Sequence, residues 1–137
     1  MLKERFKQLK NLEKAVEELN RDLDGIIVEG FSDKRAMRKL GFEGKIFQSA
    51  ERSIEDLTED VARGTRKVAV LTDYDSHGRK EAEKITHALQ GRTDVLISAR
   101  KKFGEVLTSN DRHAIEDVEP LFSSWEDKFV DAALDRL

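Results

Sequence analysis

The sequence predicts an α/β fold in which a small, mainly parallel sheet of about four strands carries helices on both faces, in the Rossmann-like manner. Three observations predict it. Short β-branched runs, Ile26-Ile27-Val28 and Val68-Ala69-Val70-Leu71, recur along the chain. Segments of helical period separate them, and those segments are long enough to serve as the crossovers that parallel neighbours need. With 137 residues, 38% of them hydrophobic, the chain suits one ordinary domain with a single core.

The elements follow in order. Leu2, Leu9, Val16 and Leu23 repeat every seven residues, with Leu12 and Leu19 offset by three, so residues 1–24 are expected to form an amphipathic helix. Its stripe suits packing on the rest of the domain. Its near-heptad spacing also suits self-association, so a homodimer through this helix, or a partner protein, is a second expectation. Residues 25–115 are expected to form the central domain. Gly25-Ile26-Ile27-Val28-Glu29-Gly30 reads as a buried strand closing in a tight turn. Asp33 is expected to cap the next helix, with Ala36, Met37 and Leu40 facing inward and Gly41 as its stop.

Lys45-Ile46-Phe47 reads as a second strand. Ser49 is expected to cap a helix whose Ala50, Ile54, Leu57 and Val61 recur at helical spacing, and Gly64 to end it. Lys67 to Thr72 is the clearest strand in the chain. Asp73 to Gly78 then read as a polar loop, Arg79 to Leu89 as a helix with Ala82, Ile85 and Leu89 inward, and Asp94 to Ser98 as a fourth strand. Arg100 to Arg112 are expected to be a basic loop or broken helix, and Ala114-Ile115 a short strand. Residues 116–137 are expected to form an acidic helical extension, with a terminal helix from Ser124 to Leu137 that carries Trp125, Phe129 and Ala133.

Charge and composition narrow the function. The chain has 25 Lys and Arg against 28 Asp and Glu, a net charge of -3, which argues against a general nucleic-acid glue. The imbalance is local: residues 116–137 carry seven acidic and two basic side chains, whereas residues 25–115 carry 15 acidic and 17 basic. An acidic protein still engages a phosphate backbone where basic groups converge and metal ions neutralise its carboxylates. The absence of cysteine excludes disulfides and thiolate zinc sites and suits a reducing cytoplasm. The apolar runs fall far short of the roughly 20 residues that span a bilayer, and MLKERFKQLK lacks a signal-peptide core, so a cytoplasmic protein without a membrane partner is expected.

In an open parallel sheet, ligands bind beyond the carboxyl ends of the strands. Two such ends are acidic here. Glu29 closes the first strand, and Asp73 and Asp75 leave the third in Leu71-Thr72-Asp73-Tyr74-Asp75-Ser76-His77-Gly78. Alternate residues of an extended segment point the same way, so the two aspartates are expected to present carboxylates to one point. Three acidic groups at one rim repel one another unless a cation neutralises them. Magnesium suits them, because it takes carboxylate oxygens, keeps waters and shares substrate phosphates, and no soft ligand is present. Gly30 and Gly78 are expected to permit sharp turns and the close approach of a phosphate.

These residues carry a resemblance. Ile26-Ile27-Val28-Glu29-Gly30 with Asp33, followed some forty residues later by Val70-Leu71-Thr72-Asp73-Tyr74-Asp75-Ser76-His77-Gly78, resembles a Toprim domain, the module shared by topoisomerases, bacterial primases, OLD-family nucleases and 5S ribosomal RNA maturases. The resemblance covers Ile26 to about Ser98 and is nearest to small standalone archaeal Toprim proteins and the maturases. It implies that Glu29 serves as general acid or base and that Asp73 and Asp75, with Glu29, hold one or two magnesium ions. His77 departs from the pattern by standing where several relatives carry a further acid, which lowers the local negative charge and weighs against two metals.

Basic residues flank the expected site: Lys34, Arg35, Arg38 and Lys39 on the first crossover helix, Arg79 and Lys80 after the aspartates, and Arg100-Lys101-Lys102 after the fourth strand. Lys34, Arg79 and Lys101 lie nearest the strand ends and are the expected phosphate contacts, which position a substrate without reading its sequence. His87 is expected to be structural or exposed within its helix, Glu116 and Asp117 to approach the metal from a last strand, and Tyr74 to be a poor nucleophile. Topoisomerase activity needs a strand-passage domain and primase activity a zinc module, for which the chain offers neither room nor cysteine. The expected function is therefore a magnesium-dependent nuclease or phosphotransferase acting on RNA or DNA. Its alternative is a non-catalytic, metal-dependent module that binds nucleic acid or a nucleotide.

Overall fold

The computed structural model describes residues 2–109 and 111–122. They run in the order α1 (Leu2–Asp22), β1 (Gly25–Val28), α2 (Phe31–Lys39), β2 (Lys45–Gln48), α3 (Ile54–Gly64), β3 (Lys67–Val70), α4 (Ser76–Leu89), β4 (Asp94–Val95) and α5 (Ile97–Thr108), followed by a 3-10 turn at Ile115–Val118. The strands form one all-parallel sheet in the order β2-β1-β3-β4. Gly25 of β1 lies opposite Lys45 of β2 and Val68 of β3, and Val68 in turn lies opposite Val95 of β4.

Alternation along the strands divides the core in two. Ile26, Val28, Ala69 and Leu71 face one side, where they pack with α1, α2, α5 and the 3-10 turn through Leu12, Val16, Met37, Phe103, Leu107 and Ile115. Ile27, Val68 and Val70 face the other, against Leu57 and Val61 of α3 and Ala82, Ile85 and Leu89 of α4. A sheet covered on both faces needs strands that are apolar on both, and β1 is buried at every position. The stripe of α1 enters the first of these cores: Leu9, Leu12, Val16, Leu19 and Leu23 are all buried. Each such side chain contributes roughly 1.5–3 kcal/mol relative to exposure. A second copy would therefore have to use another face of the helix.

Several local expectations shift. Asp33 is not the cap of α2 but its third residue. Gly30 occupies the cap position, and its N–H donates to Asp33 Oδ2 at 3.0 Å. Ser49 does not cap α3, because its N–H continues the β1–β2 ladder by donating to the Val28 carbonyl at 2.9 Å. Ser53 caps instead, its hydroxyl accepting from the Asp56 N–H. Helix α4 begins at Ser76, so the polar loop is shorter than expected and Asp75 becomes the cap. The fourth strand ends at Val95, and the stretch expected as a broken basic loop is the regular helix α5, whose Ala99, Phe103 and Leu107 are buried at helical spacing. Ala114-Ile115 is not a strand: the Asp117 carboxylate accepts from the N–H groups of His113 and Ala114 and closes a 3-10 turn. Gly41 stops α2 as expected, with φ +102°, a conformation that favours glycine. The expected helix from Ser124 to Leu137 lies outside the described residues. No helix among the described residues is long and apolar enough to cross a membrane.

Candidate functional site

The strand order β2-β1-β3-β4 reverses direction between β1 and β3, since the chain passes from β1 to β2 on one side and returns to β3 on the other. A crevice opens at such a switch point beyond the carboxyl ends of the two strands. Glu29 is the first residue after β1, and Asp73 follows β3 by three. They meet there, 44 residues apart in sequence, with the Asp73 N–H donating to Glu29 Oε1 at 3.3 Å.

The loop that carries Asp73 is held from four directions. Thr72 Oγ1 donates to the Gly78 carbonyl at 2.7 Å, and Asp75 Oδ1 accepts from the Gly78 N–H at 2.8 Å, which ties the loop to the first turn of α4. The Tyr74 N–H donates to the His113 carbonyl at 2.6 Å. Arg100 of α5 supplies the fourth restraint. Its Nη1 donates to the carbonyls of Val70 at 3.0 Å and Thr72 at 2.8 Å, and its Nη2 to that of Asp73 at 2.9 Å. Strand β4 has already ended at this level, so Arg100 satisfies sheet-edge carbonyls that a longer strand would have paired. The need for Gly78 is steric: a Cβ there would fall 2.0 Å from the Asp73 carbonyl oxygen. Gly30 differs, with an extended backbone and open space where a Cβ would stand, so the turn after Glu29 does not demand glycine.

Electrostatically, burial and repulsion between acids dominate the rim, although Arg100 interacts favourably with Asp73 and Glu29. Burial pushes the Asp73 carboxyl up to about 7, and repulsion from Glu29, Asp33, Asp75 and Glu116 adds to it. Burial also raises Glu29, against the Asp73 N–H that stabilises its charge, with Glu81 and Asp33 raising it further. Asp33 is buried and likewise raised, chiefly by burial, although its two oxygens accept from the Gly30 and Glu116 N–H groups. Among the described residues no donor is hydrogen-bonded to the Asp73 carboxylate. No three His, Asp or Glu side chains among them stand so as to hold a metal ion together.

The expected site residues therefore separate. Glu29 and Asp73 are brought together. Asp75 adds charge nearby, and one of its oxygens is committed to capping α4. His77 is exposed in the first turn of α4, with Nε2 3.9 Å from Glu81 Oε2. Arg79 lines a mostly apolar groove with Val70, Ile97 and Arg100, on a different side of α4 from Glu29. Lys101 is exposed on α5, Lys34 is half-buried on α2, and His87 is exposed on α4. Tyr74 is buried, and burial holds its hydroxyl above the usual phenol range, as a poor nucleophile requires.

Two features escaped sequence reasoning. Arg100 was hidden within a run of three cations, although its place beside Ala99 in a helical stripe set it apart. A cleft of about 440 Å³ also opens beside Glu29, bounded by Ser49 and Ala50 on one wall and by His77, Lys80, Glu81 and Lys84 on the other. Its signal was the four-residue spacing of Lys80 and Lys84.

No family model matches the chain. The UPF0292 protein of Pyrococcus furiosus is 34% identical over 114 residues, which span 83% of this chain and 83% of that protein. The UPF0292 protein of Thermococcus sibiricus is 31% identical, over 82% and 89% of the two chains, and that of Methanocaldococcus jannaschii 30%, over 87% and 93%. Among solved structures, a protein from Aquifex aeolicus superposes with a TM-score of 0.61 at 24% identity, covering 81% of this chain and 94% of that one. That likeness bears on the fold alone.

Proposed function

The chain belongs to the UPF0292 family, and from the geometry of its sheet rim we propose that it is a magnesium-dependent protein of the Toprim kind, acting on nucleic-acid phosphodiester bonds as a nuclease or phosphotransferase. One observation carries this reading. Two carboxylates from distant strands converge at the switch-point crevice, and the Asp73 carboxyl is pushed up to about 7 with no cation among the described residues in an ion pair with it. Such a pair favours an external cation, because a cation within contact distance reverses the repulsion that raises the acids.

The donor set fits magnesium in chemistry and in number. All the donors are oxygens, and magnesium is commonly held by one or two carboxylates while water and substrate phosphate complete its sphere. Asp73 would be the first ligand, with the uncommitted oxygen of Asp75 as a second, and Glu29 stands beside Asp73. Magnesium bound there supplies charge neutralisation for a phosphoryl group and its leaving oxygen. Glu29, raised by burial, holds or moves the proton of the attacking or leaving hydroxyl, a task for which a carboxyl above its ordinary range is suited. Arg100 and Gly78 keep the Asp73 loop in position.

A second reading, a binding module without catalysis, is favoured by the Asp75 cap and by His77, which together leave fewer free carboxylates than a two-metal centre uses. Labelled RNA and DNA incubated with the protein, with and without magnesium and beside Glu29→Gln, separate the two. Magnesium-dependent cleavage lost in the variant supports the enzyme. Magnesium-dependent binding without cleavage, retained in the variant, supports the module. A melting temperature unmoved by magnesium argues against both, since a ligand selective for the native state raises it.

A further inference from the structure

We infer that the cleft leading away from Glu29 is a phosphate track for a single polynucleotide strand, with Lys80 and Lys84 of α4 each holding one backbone phosphate next to the group bound at the rim. The inference rests on the proposed nucleic-acid reading and adds the direction in which the strand leaves the site.

The cleft is built from both sides. Its first wall is the turn after β2, fixed to the Glu29 strand by the Ser49 N–H donating to the Val28 carbonyl and the Ala50 N–H to the Glu29 carbonyl, each at 2.9 Å. Its second wall is the face of α4 that presents His77, Lys80, Glu81 and Lys84, residues spaced three and four apart. Glu29 sits within the lining, so the cleft is continuous with the rim.

Charge favours an anion. The acid on the helical wall, Glu81, accepts from Ser49 Oγ at 2.6 Å and lies 3.9 Å from His77 Nε2. Lys80 and Lys84 are exposed, and among the described residues neither has a carboxylate within ion-pair distance. Two ammonium groups without an ion-pair partner among the described residues thus border the cleft, and of its two acids Glu81 is already engaged while Glu29 stands at the rim. Four residues of helix advance about 6 Å, a step comparable with that between successive phosphates of an extended strand. A cleft of about 440 Å³ between a helix and a turn has room for the backbone of one strand.

Arg79, the neighbour of Lys80, faces the groove on the other side of α4 and is not part of the track. Phosphate contacts of this kind carry no sequence information, so the track predicts binding that tolerates base changes.

The test is fluorescence anisotropy of short labelled oligouridine and oligothymidine with the intact chain in magnesium, over a series of salt concentrations. It compares the parent with Lys80→Gln/Lys84→Gln, Lys80→Arg/Lys84→Arg, Asp73→Asn and Lys7→Gln/Lys14→Gln, whose lysines are exposed on α1 and line no part of the cleft. In the cleft glutamine variant the slope of log affinity against log salt should fall by about 1.4, two contacts at about 0.7 each for a single strand. The arginine variant should retain the slope, and so should Lys7→Gln/Lys14→Gln. Equal slopes for RNA and DNA are expected, and a loss confined to RNA would assign the lysines to the sugar hydroxyl and overturn the phosphate track. An unchanged slope in the cleft glutamine variant, while Asp73→Asn abolishes magnesium-dependent binding, overturns the track and leaves the proposed function standing. Weakening by the cleft variant with Asp73→Asn indistinguishable from the parent supports the track and removes the metal from the reading. Absence of any binding by the parent overturns both.

Discussion

Arg100 and Tyr74 clasp each other: the guanidinium lies 4.3 Å from the centroid of the Tyr74 ring, while the Tyr74 hydroxyl donates to the Arg100 carbonyl at 2.9 Å. Through this clasp, the helix that follows the last strand grips the loop that carries Asp73. Gly104, one turn further along α5, completes the seat, since a Cβ there would fall 2.3 Å from the Tyr74 ring. The site is thus positioned by α5 as much as by the strands that end at it.

Arg100→Ala is expected to destabilise the protein by about 2–3 kcal/mol, because the carbonyls of Val70, Thr72 and Asp73 lose their donor at once. Arg100→Lys should recover only part of that loss, as one ammonium does not reproduce a planar fork that spans three carbonyls. Urea denaturation reads the stability, and a magnesium titration of the folded variants reads the loop. If Arg100 acts as proposed, Arg100→Lys binds magnesium more weakly than the parent at temperatures where both are fully folded. Equal affinity would confine Arg100 to stability.

The two glycines at the rim should behave oppositely. Gly78→Ala drives a methyl group into the backbone carbonyl of Asp73, which cannot swing aside as a flexible side chain would, so a loss of at least about 2 kcal/mol is expected. Gly30→Ala meets open space in an extended conformation and should stay within about 0.5 kcal/mol of the parent. Thermal denaturation of the pair tests this directly. A loss of nucleic-acid affinity in Gly30→Ala at unchanged stability would then report a blocked approach to Glu29.

The raised Asp73 carboxyl gives a pH signature. Its folded value of about 7 lies above the ordinary value of 3.8, so between those limits the native state holds a proton that the unfolded chain has released. Asp73 therefore makes stability fall as pH rises through that window, and its effect levels off above about 7. Asp73→Asn lacks this effect, so without magnesium its melting temperature relative to the parent should climb between pH 4 and pH 7 and then stay flat. On the proposed reading magnesium affinity should strengthen over the same range, because the ligand must lose its proton to accept the ion. Calorimetry at pH 6 and pH 8 measures it, and an affinity independent of pH would remove Asp73 from the ligand set.

Glu29 and Asp73 were legible because each follows a β-branched strand and parallel topology brings such ends to one rim. Asp75 was legible as an acid but not as a cap, since that role depends on the Gly78 N–H three residues ahead, in a helix that starts earlier than the apolar pattern alone indicates. Helix α5 was obscured because Arg100, Lys101 and Lys102 interrupt the apolar signal, although Ala99, Phe103 and Leu107 keep its period. The partners of Arg100 were not legible: they are backbone carbonyls 27 to 30 residues away, and backbone groups leave no trace in side-chain identity.

The stripe of α1 illustrates one pattern with two readings, since Leu9, Val16 and Leu23 would serve a paired helix as well as an internal core. The structure buries them within the chain, with Leu12 2% exposed and Val16 1% exposed. Leu12→Ala should then cost about 2–5 kcal/mol, the transfer and cavity terms of a buried leucine. Burial of the same stripe between two copies would give a loss of similar size, so the cost alone does not separate the readings. Concentration does: an internal core makes the melting temperatures of parent and variant independent of protein concentration, whereas a dimer seam makes both rise with it by mass action. The expected result is two flat lines, separated by a constant interval, across a hundredfold dilution series of the order used to detect such linkage.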